Sequence, residues 1–346
     1  GGAATIRDLQ SAGANQMTRQ GTLAPGNVAI TVSGDSVTMT DTGAANITAT
    51  AGDVEVVATS GDIELGRISA AGQTVYLQAD DNAGRILDKN ADAAATNVTA
   101  TTLNARAGLK IGEVSPGNVI DGPTNPIETV VSNLSVWTLN PAGNTEIAVD
   151  NDSAALLVPV FSTPSVLLAP DQVWIRNTGD LDVSASTMQA NNSYGFISRT
   201  GDLTIQAAAV DIGTGILNLQ AATVGKDIIN LNTVTADKFL MKSGSTETIN
   251  TTVNELDATV NGIGNDLTVN ETDGVIVRDL DSDGNSLVAY RNLVLNTNGA
   301  TEIENAVSTT SGSILVNVDG AGNTVDVGTI TAGASIIAAT DLTIDV

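Results

Sequence analysis

Gly52-Asp53-Val54-Glu55-Val56 is followed nine residues later by Gly61-Asp62-Ile63-Glu64-Leu65. Both phrases place a glycine and an acidic turn residue before two aliphatic side chains that flank one residue of opposite orientation. Copies recur as Gly26-Asn27-Val28-Ala29-Ile30, Gly179-Asp180-Leu181-Asp182-Val183 and Gly201-Asp202-Leu203-Thr204-Ile205. Looser copies begin at Gly264 and Gly322, and Thr340-Asp341-Leu342-Thr343-Ile344 has Thr in place of the glycine. A period of two buries one face of a strand and wets the other. Glycine is expected to supply a positive φ, and Asp or Asn to brace the bend with its own side chain. Early glycines at 26, 34, 43, 52, 61 and 72 set steps of 8 to 11 residues, so two phrases make a cycle of roughly 20.

Short strands at this spacing fit a sandwich, a barrel or a parallel β-helix. A sandwich closes after about 7–9 strands, whereas this pattern runs through nearly the whole chain. Asn-Gly and Asp-Gly pairs, which mark tight hairpins, are few. Inward positions are small and aliphatic, as a narrow stacked core requires. The expected fold is therefore all-β: a right-handed parallel β-helix, or β-solenoid, of roughly 20 residues per rung and about 17 rungs, with little or no helix. A longer repeat supports it. Ile127-Glu128-Thr129-Val130-Val131-Ser132-Asn133-Leu134 matches Ile249-Asn250-Thr251-Thr252-Val253-Asn254-Glu255-Leu256, which reads as a duplicated block of rungs.

Seven of the 8 Pro lie between Pro116 and Pro170. Proline cannot donate to an interior ladder. The expected organisation is β-helix rungs over 1–115, irregular Pro-rich rungs or projecting loops over 116–175, and rungs again over 176–346. These form one solenoid that is a fragment or repeating unit of a longer assembly.

The chain has 346 residues with no Cys and no His, and 14 Lys+Arg against 39 Asp+Glu for a net charge of -25. Cys–His zinc sites, thiol nucleophiles and His-based triads are excluded. The acidity argues against nucleic acid and against anionic membrane surfaces. No apolar run is long enough for a membrane-spanning helix, so no membrane insertion is expected. A cysteine-free chain suits export through an oxidising bacterial envelope.

The phrases above, and the blocks Asn125-Pro126-Ile127-Glu128-Thr129 and Leu267-Thr268-Val269-Asn270-Glu271-Thr272-Asp273-Gly274, resemble the shaft repeats of filamentous-haemagglutinin-like large exoproteins and giant bacterial adhesins. The resemblance covers most of the chain, and it specifies a fold more than an activity. It implies a structural shaft, extracellular or on the bacterial cell surface, that associates end to end with further rungs or subunits. The amino-terminal secretion domain of that family is not recognisable in this sequence.

Three kinds of candidate chemistry remain. Asp279-Leu280-Asp281-Ser282-Asp283-Gly284-Asn285 alternates carboxylates before a glycine, as in the first half of an EF-hand loop, so Asp279, Asp281, Asp283 and Asn285 are candidate Ca²⁺ ligands. Tyr290 stands where such a loop needs a bidentate Glu, and a solvated acidic turn explains the same residues. Trp137, Phe161 and Trp174 lie in or beside the Pro-rich interval. They are the candidate contacts for a glycan or host-surface receptor, in an alternative reading as an adhesin module built on 116–175. Paired carboxylates (Asp80-Asp81, Asp150 with Asp152, Asp281 with Asp283) would serve a polysaccharide-active enzyme. With only 8 aromatics to stack sugars, the expectation is no enzyme, no catalytic residue and no required cofactor.

Overall fold

The computed structural model describes residues 4–6, 9–11, 27–32, 36–39, 46–80, 82–89, 95–115, 119–140, 145–160, 172–205, 209–320, 322–327 and 335–346. The described residues form strands and turns with no helix, and the strands stack in parallel as a β-solenoid. Contacts divide the chain into two units. One comprises Gly1–Asn118 with Gly122–Thr187, and the other Val119–Asp121 with Met188–Val346.

The first unit is a three-sided coil. One side stacks Val28–Val32, Val54–Ala58, the second half of Ile68–Gln78, the second half of Val98–Ala107, Asn133–Thr138, Ala155–Val160 and Asp180–Asp182. A second stacks Ala4–Ile6, Val37–Met39, Ile63–Leu65, Arg85–Asp88, Lys110–Ile111 and then Glu146–Asn151 and Gln172–Asn177. The third runs from Leu9–Ser11 through Ile47–Ala49 and the first halves of Ile68–Gln78 and Val98–Ala107 to Ile127–Val130.

In the second unit, Ser193–Ser198, Ile216–Ala221, Thr233–Ser243 and Glu247–Val260 stack in order. The first part of Glu247–Val260 is continued by Leu267–Glu271, Leu293–Thr297, Ile314–Val318 and Leu342–Asp345. Its second part leads into two further sides, which begin at Val275–Val277 and Asn285–Ala289.

The nine-residue step is one side of the coil, and three sides close a turn. Val28 pairs with Val54, 26 residues on; the shortest step is Thr233 to Asn250 and the longest Leu9 to Ile47. Most turns are therefore longer than roughly 20 residues, and the chain makes fewer than the 17 expected. Inside, aliphatic side chains stack in register. Val54, Val75, Leu103 and Leu134 form one fully buried column of the first unit, and Leu267, Leu293 and Ile314 another in the second. Each column removes apolar surface from water at every turn.

Many of the turn residues work between turns of the coil. The Asn27 Oδ1 accepts the Asp53 N–H (2.9 Å), and the Asp53 Oδ1 accepts the Thr74 N–H one turn later (2.9 Å). Ser36, Asp62 and Arg85 repeat this on another corner. Thr246, Asp266, Asn292 and Ser313 repeat it in the second unit. An N–H that the corner pulls out of the sheet ladder is satisfied in this way. The glycines also differ from expectation. Gly264 and Gly322 take positive φ, but Gly179 does not: a Cβ there would lie 1.9 Å from the Ala154 carbonyl oxygen. Gly179 is required by the close approach of stacked backbones.

Outward acids outnumber cations, and the cations are used across turns. At least nine Lys and Arg side chains among the described residues meet an acid on another turn. Arg85 pairs with Asp62 (2.7 Å), Lys110 with Glu146 (3.0 Å), Arg176 with Asp150, and Arg278 with both Glu255 (3.1 Å) and Glu304 (2.5 Å). Lys89, Lys226, Lys238, Lys242 and Arg291 behave likewise.

Candidate functional site

The acidic turn Asp279–Asn285 sits beside the second half of Glu247–Val260. Ser282 and Gly284 both take positive φ (62° and 92°), which bends the segment back on itself. The Asp279 carboxylate accepts the N–H groups of Asp283 (3.1 Å) and Gly284 (2.7 Å), closing the bend. Asn285 donates through its backbone and side-chain nitrogens to the Asp283 Oδ1. The Lys242 ammonium lies 2.5 Å from Asp281 and 2.7 Å from Asp283. Burial alone would lower the Lys242 pKa, but the two aspartates outweigh it and hold the amine charged.

The four residues singled out for Ca²⁺ thus come together, but not as four converging ligands. Asp283 turns toward Lys242 and Asn285, while one oxygen each of Asp257, Asp279 and Asp281 lie within 4.8 Å of one another. Asp257 is fully buried and accepts the Leu280 N–H (2.9 Å). Burial pushes its carboxyl up to about 8, and the nearby Asp281 and Asp283 add to the shift. Chemically, mutual carboxylate repulsion is relieved here by a protonated Asp257 and by the Lys242 cation. A Ca²⁺ ion would compete with Lys242 for the same oxygens. Sequence reading missed Asp257 and Lys242. The available signal was a charge inside the run Leu256-Asp257-Ala258, where every neighbour is apolar.

The aromatic trio is separated. Trp174 is buried (1% exposed), so it is not a surface contact as expected. Its cover is the Pro-rich interval itself. Glu113–Val114 and Pro123–Asn125 form an antiparallel ribbon, and Glu113–Val114 packs on Glu146–Asn151 and Gln172–Asn177. A methyl placed on Gly122 would lie 3.9 Å from the Trp174 Nε1. Gly112, at φ 70°, lets the chain leave the coil where a Cβ would strike the Ala148 carbonyl oxygen at 2.3 Å. The Arg176 guanidinium stands 5.0 Å from the Trp174 ring centroid and pairs with Asp150. Trp137 remains half-buried on the outer surface of Asn133–Thr138. Phe161 lies outside the described residues. Tyr194 and Phe196, 6.0 Å apart, are core residues of the second unit.

Three further carboxyls are pushed upward, all chiefly by burial. Glu128 is pushed up to about 8, with Asp88 and Asp150 adding to it. Glu247 is also pushed up to about 8, and Glu271 to about 7. Of the carboxylate pairs expected from the sequence, Asp150 is tied to Arg176, and Asp281 and Asp283 to Lys242, while Asp81 lies outside the described residues.

No family model, curated protein or solved structure matches the chain.

Proposed function

We propose that this protein is a structural shaft: an extracellular or cell-surface solenoid of a bacterial adhesin or surface filament, resembling filamentous-haemagglutinin-like exoproteins. The observation that carries the reading is where the polar contacts go. Turn Asn and Asp residues, and most of the scarce cations, bond to a different turn of the coil instead of converging on a pocket. Interactions laid along the stacking direction resist separation of the turns, and each sheared turn would break several hydrogen bonds at once. The net charge of -25 keeps neighbouring shafts apart.

End-to-end association belongs to the same proposal. Val325–Val327, Ser335–Ile337 and Leu342–Asp345 each pair on one side only among the described residues. They expose Val327, Ile337, Leu342 and Ile344. Such an edge accepts a further parallel strand, from another rung or another subunit.

Electron micrographs and sedimentation of the purified chain at rising concentration test the reading. Elongated particles that join tip to tip are expected. Compact particles that stay single at every concentration would overturn it.

A further inference from the structure

Tyr76 is the most exposed aromatic whose side chain the structure describes in the first unit, at 45%. It is an outward residue of Ile68–Gln78, and register places it between Glu55 on the preceding turn and Asn104 on the next. Two residues along the same strands, a second outward column runs Val57, Gln78, Arg106, Trp137. The two columns line a hollow of about 350 Å³. A second hollow of about 230 Å³ adjoins it, walled by Asn27, Asp53 and the same Glu55 and Tyr76. Together they make one groove across five consecutive strands of one side, with Tyr76 at its middle and Trp137 at one end.

We propose that this groove binds a neutral oligosaccharide. Three features choose that ligand. Aromatic residues are scarce in this chain, and two of its 8 stand on the outer surface of one side, two turns apart. At about 4.8 Å per turn the rings are spaced about 10 Å along the stacking direction. That is the reach of a short run of sugar rings, whose C–H faces pack on aromatic faces. Between the rings lie Gln78, Asn104 and Arg106, with Glu55 on the other side of Tyr76, planar groups that donate to and accept from adjacent hydroxyls. Arg106 against Glu55 and Asp53 leaves the groove with a net charge of only -1, the wrong sign for a polyanion and too little to select a basic peptide. A groove that runs across five strands suits a chain rather than a compact cofactor. The proposal is independent of the shaft reading: a shaft that assembles without binding sugar, or binds sugar without assembling, separates the two.

The test is a titration of the purified chain with chitohexaose, cellohexaose, maltohexaose and mannohexaose, followed by calorimetry and tryptophan fluorescence. Trp174 is buried, so a saturable change in emission reports Trp137. At least one hexaose is expected to bind. Tyr76→Ala and Trp137→Ala should each weaken that binding about tenfold or more, the loss of one stacking surface. Tyr76→Phe, which keeps the ring and the fold, should retain it within about threefold. Circular dichroism and melting of each variant report whether the coil is intact. Absence of saturable binding for all four sugars, or binding that survives both alanine variants, would overturn the proposal.

Discussion

The same eight-residue pattern forms a corner in each unit, and the two corners differ in one instructive way. Ile127–Leu134 and Ile249–Leu256 follow one burial sequence, with the first, third, fifth and eighth residues inside and the sixth exposed. In each, the buried threonine pairs with a residue one turn on: Thr129 with Asn151, and Thr251 with Glu271. Each partner then caps the same orphan amide, because the Asn151 Oδ1 accepts the Val131 N–H (2.9 Å) and the Glu271 Oε1 the Val253 N–H (3.4 Å). The amide does the work without charge. Asn151 also accepts from Thr129 (2.8 Å) and donates to the Val131 carbonyl, Ser153 and Asn177. The carboxyl does it at the cost of burial, which pushes Glu271 up to about 7. Unit one has its own displaced carboxyl, Glu128, at the position held by Asn250 in unit two. A repeat therefore conserves geometry while the residues that satisfy its backbone exchange places.

The largest effect should come from removing the better-bonded cap. Asn151→Ala strands buried groups on three segments, and a loss of about 3 kcal/mol is expected. Both tryptophans lie in the first unit, so thermal unfolding followed by tryptophan emission reads this variant directly. An unchanged midpoint would break the comparison.

Next in size is the dependence on pH. Glu271 and Glu128 hold protons in the folded chain up to about 7 and about 8, whereas unfolded glutamate releases them near 4.3. The folded state thus binds more protons in this window, and stability falls as pH rises from about 4.5 through 8. A fall in melting temperature of roughly 5 °C between pH 5 and pH 8.5 is expected. Glu247 and Asp257, both also pushed up to about 8, add to the same slope, so Glu271→Gln and Glu128→Gln together should reduce it by roughly half. A melting temperature that rises over the same range would reverse the assignment.

A smaller change should follow Asn250→Ala. Asn250 belongs to an outward amide column in which Asn270 donates to it (3.2 Å) and Asn296 donates to Asn270 (2.8 Å). A loss of about 1 kcal/mol is expected in urea unfolding followed by circular dichroism. The smallest effects should be Ser132→Ala and Asn254→Ala, the exposed sixth residues of the two corners, each within about 0.5 kcal/mol of the parent.

The alternation of Gly-Asp-Val-Glu-Val was sufficient to read which residues face inward. Val54, Val56, Ile63 and Leu65 are all buried, because a period of two admits one inner face. The repeat also argued correctly for parallel stacking. Turn length was misread because nothing in a nine-residue step says whether two or three sides close a circuit. The candidate site was less legible. Asp279–Asn285 was visible as a motif, but Lys242 and Asp257 reach it from strands 20 to 40 residues away. Trp137 and Trp174 looked alike in sequence until a ribbon covered one of them.

The sequence by itself determined the alternation of inner and outer faces, the aliphatic core and the acidic surface, because these depend on side-chain chemistry and strand period alone. Only the tertiary structure decided which outward residues become neighbours. Tyr76 stands between Glu55 and Asn104, and Lys242 beside Asp281, through register between turns. That register is set by corner lengths from 17-residue to 38-residue steps, and no local pattern encodes the sum of three corners.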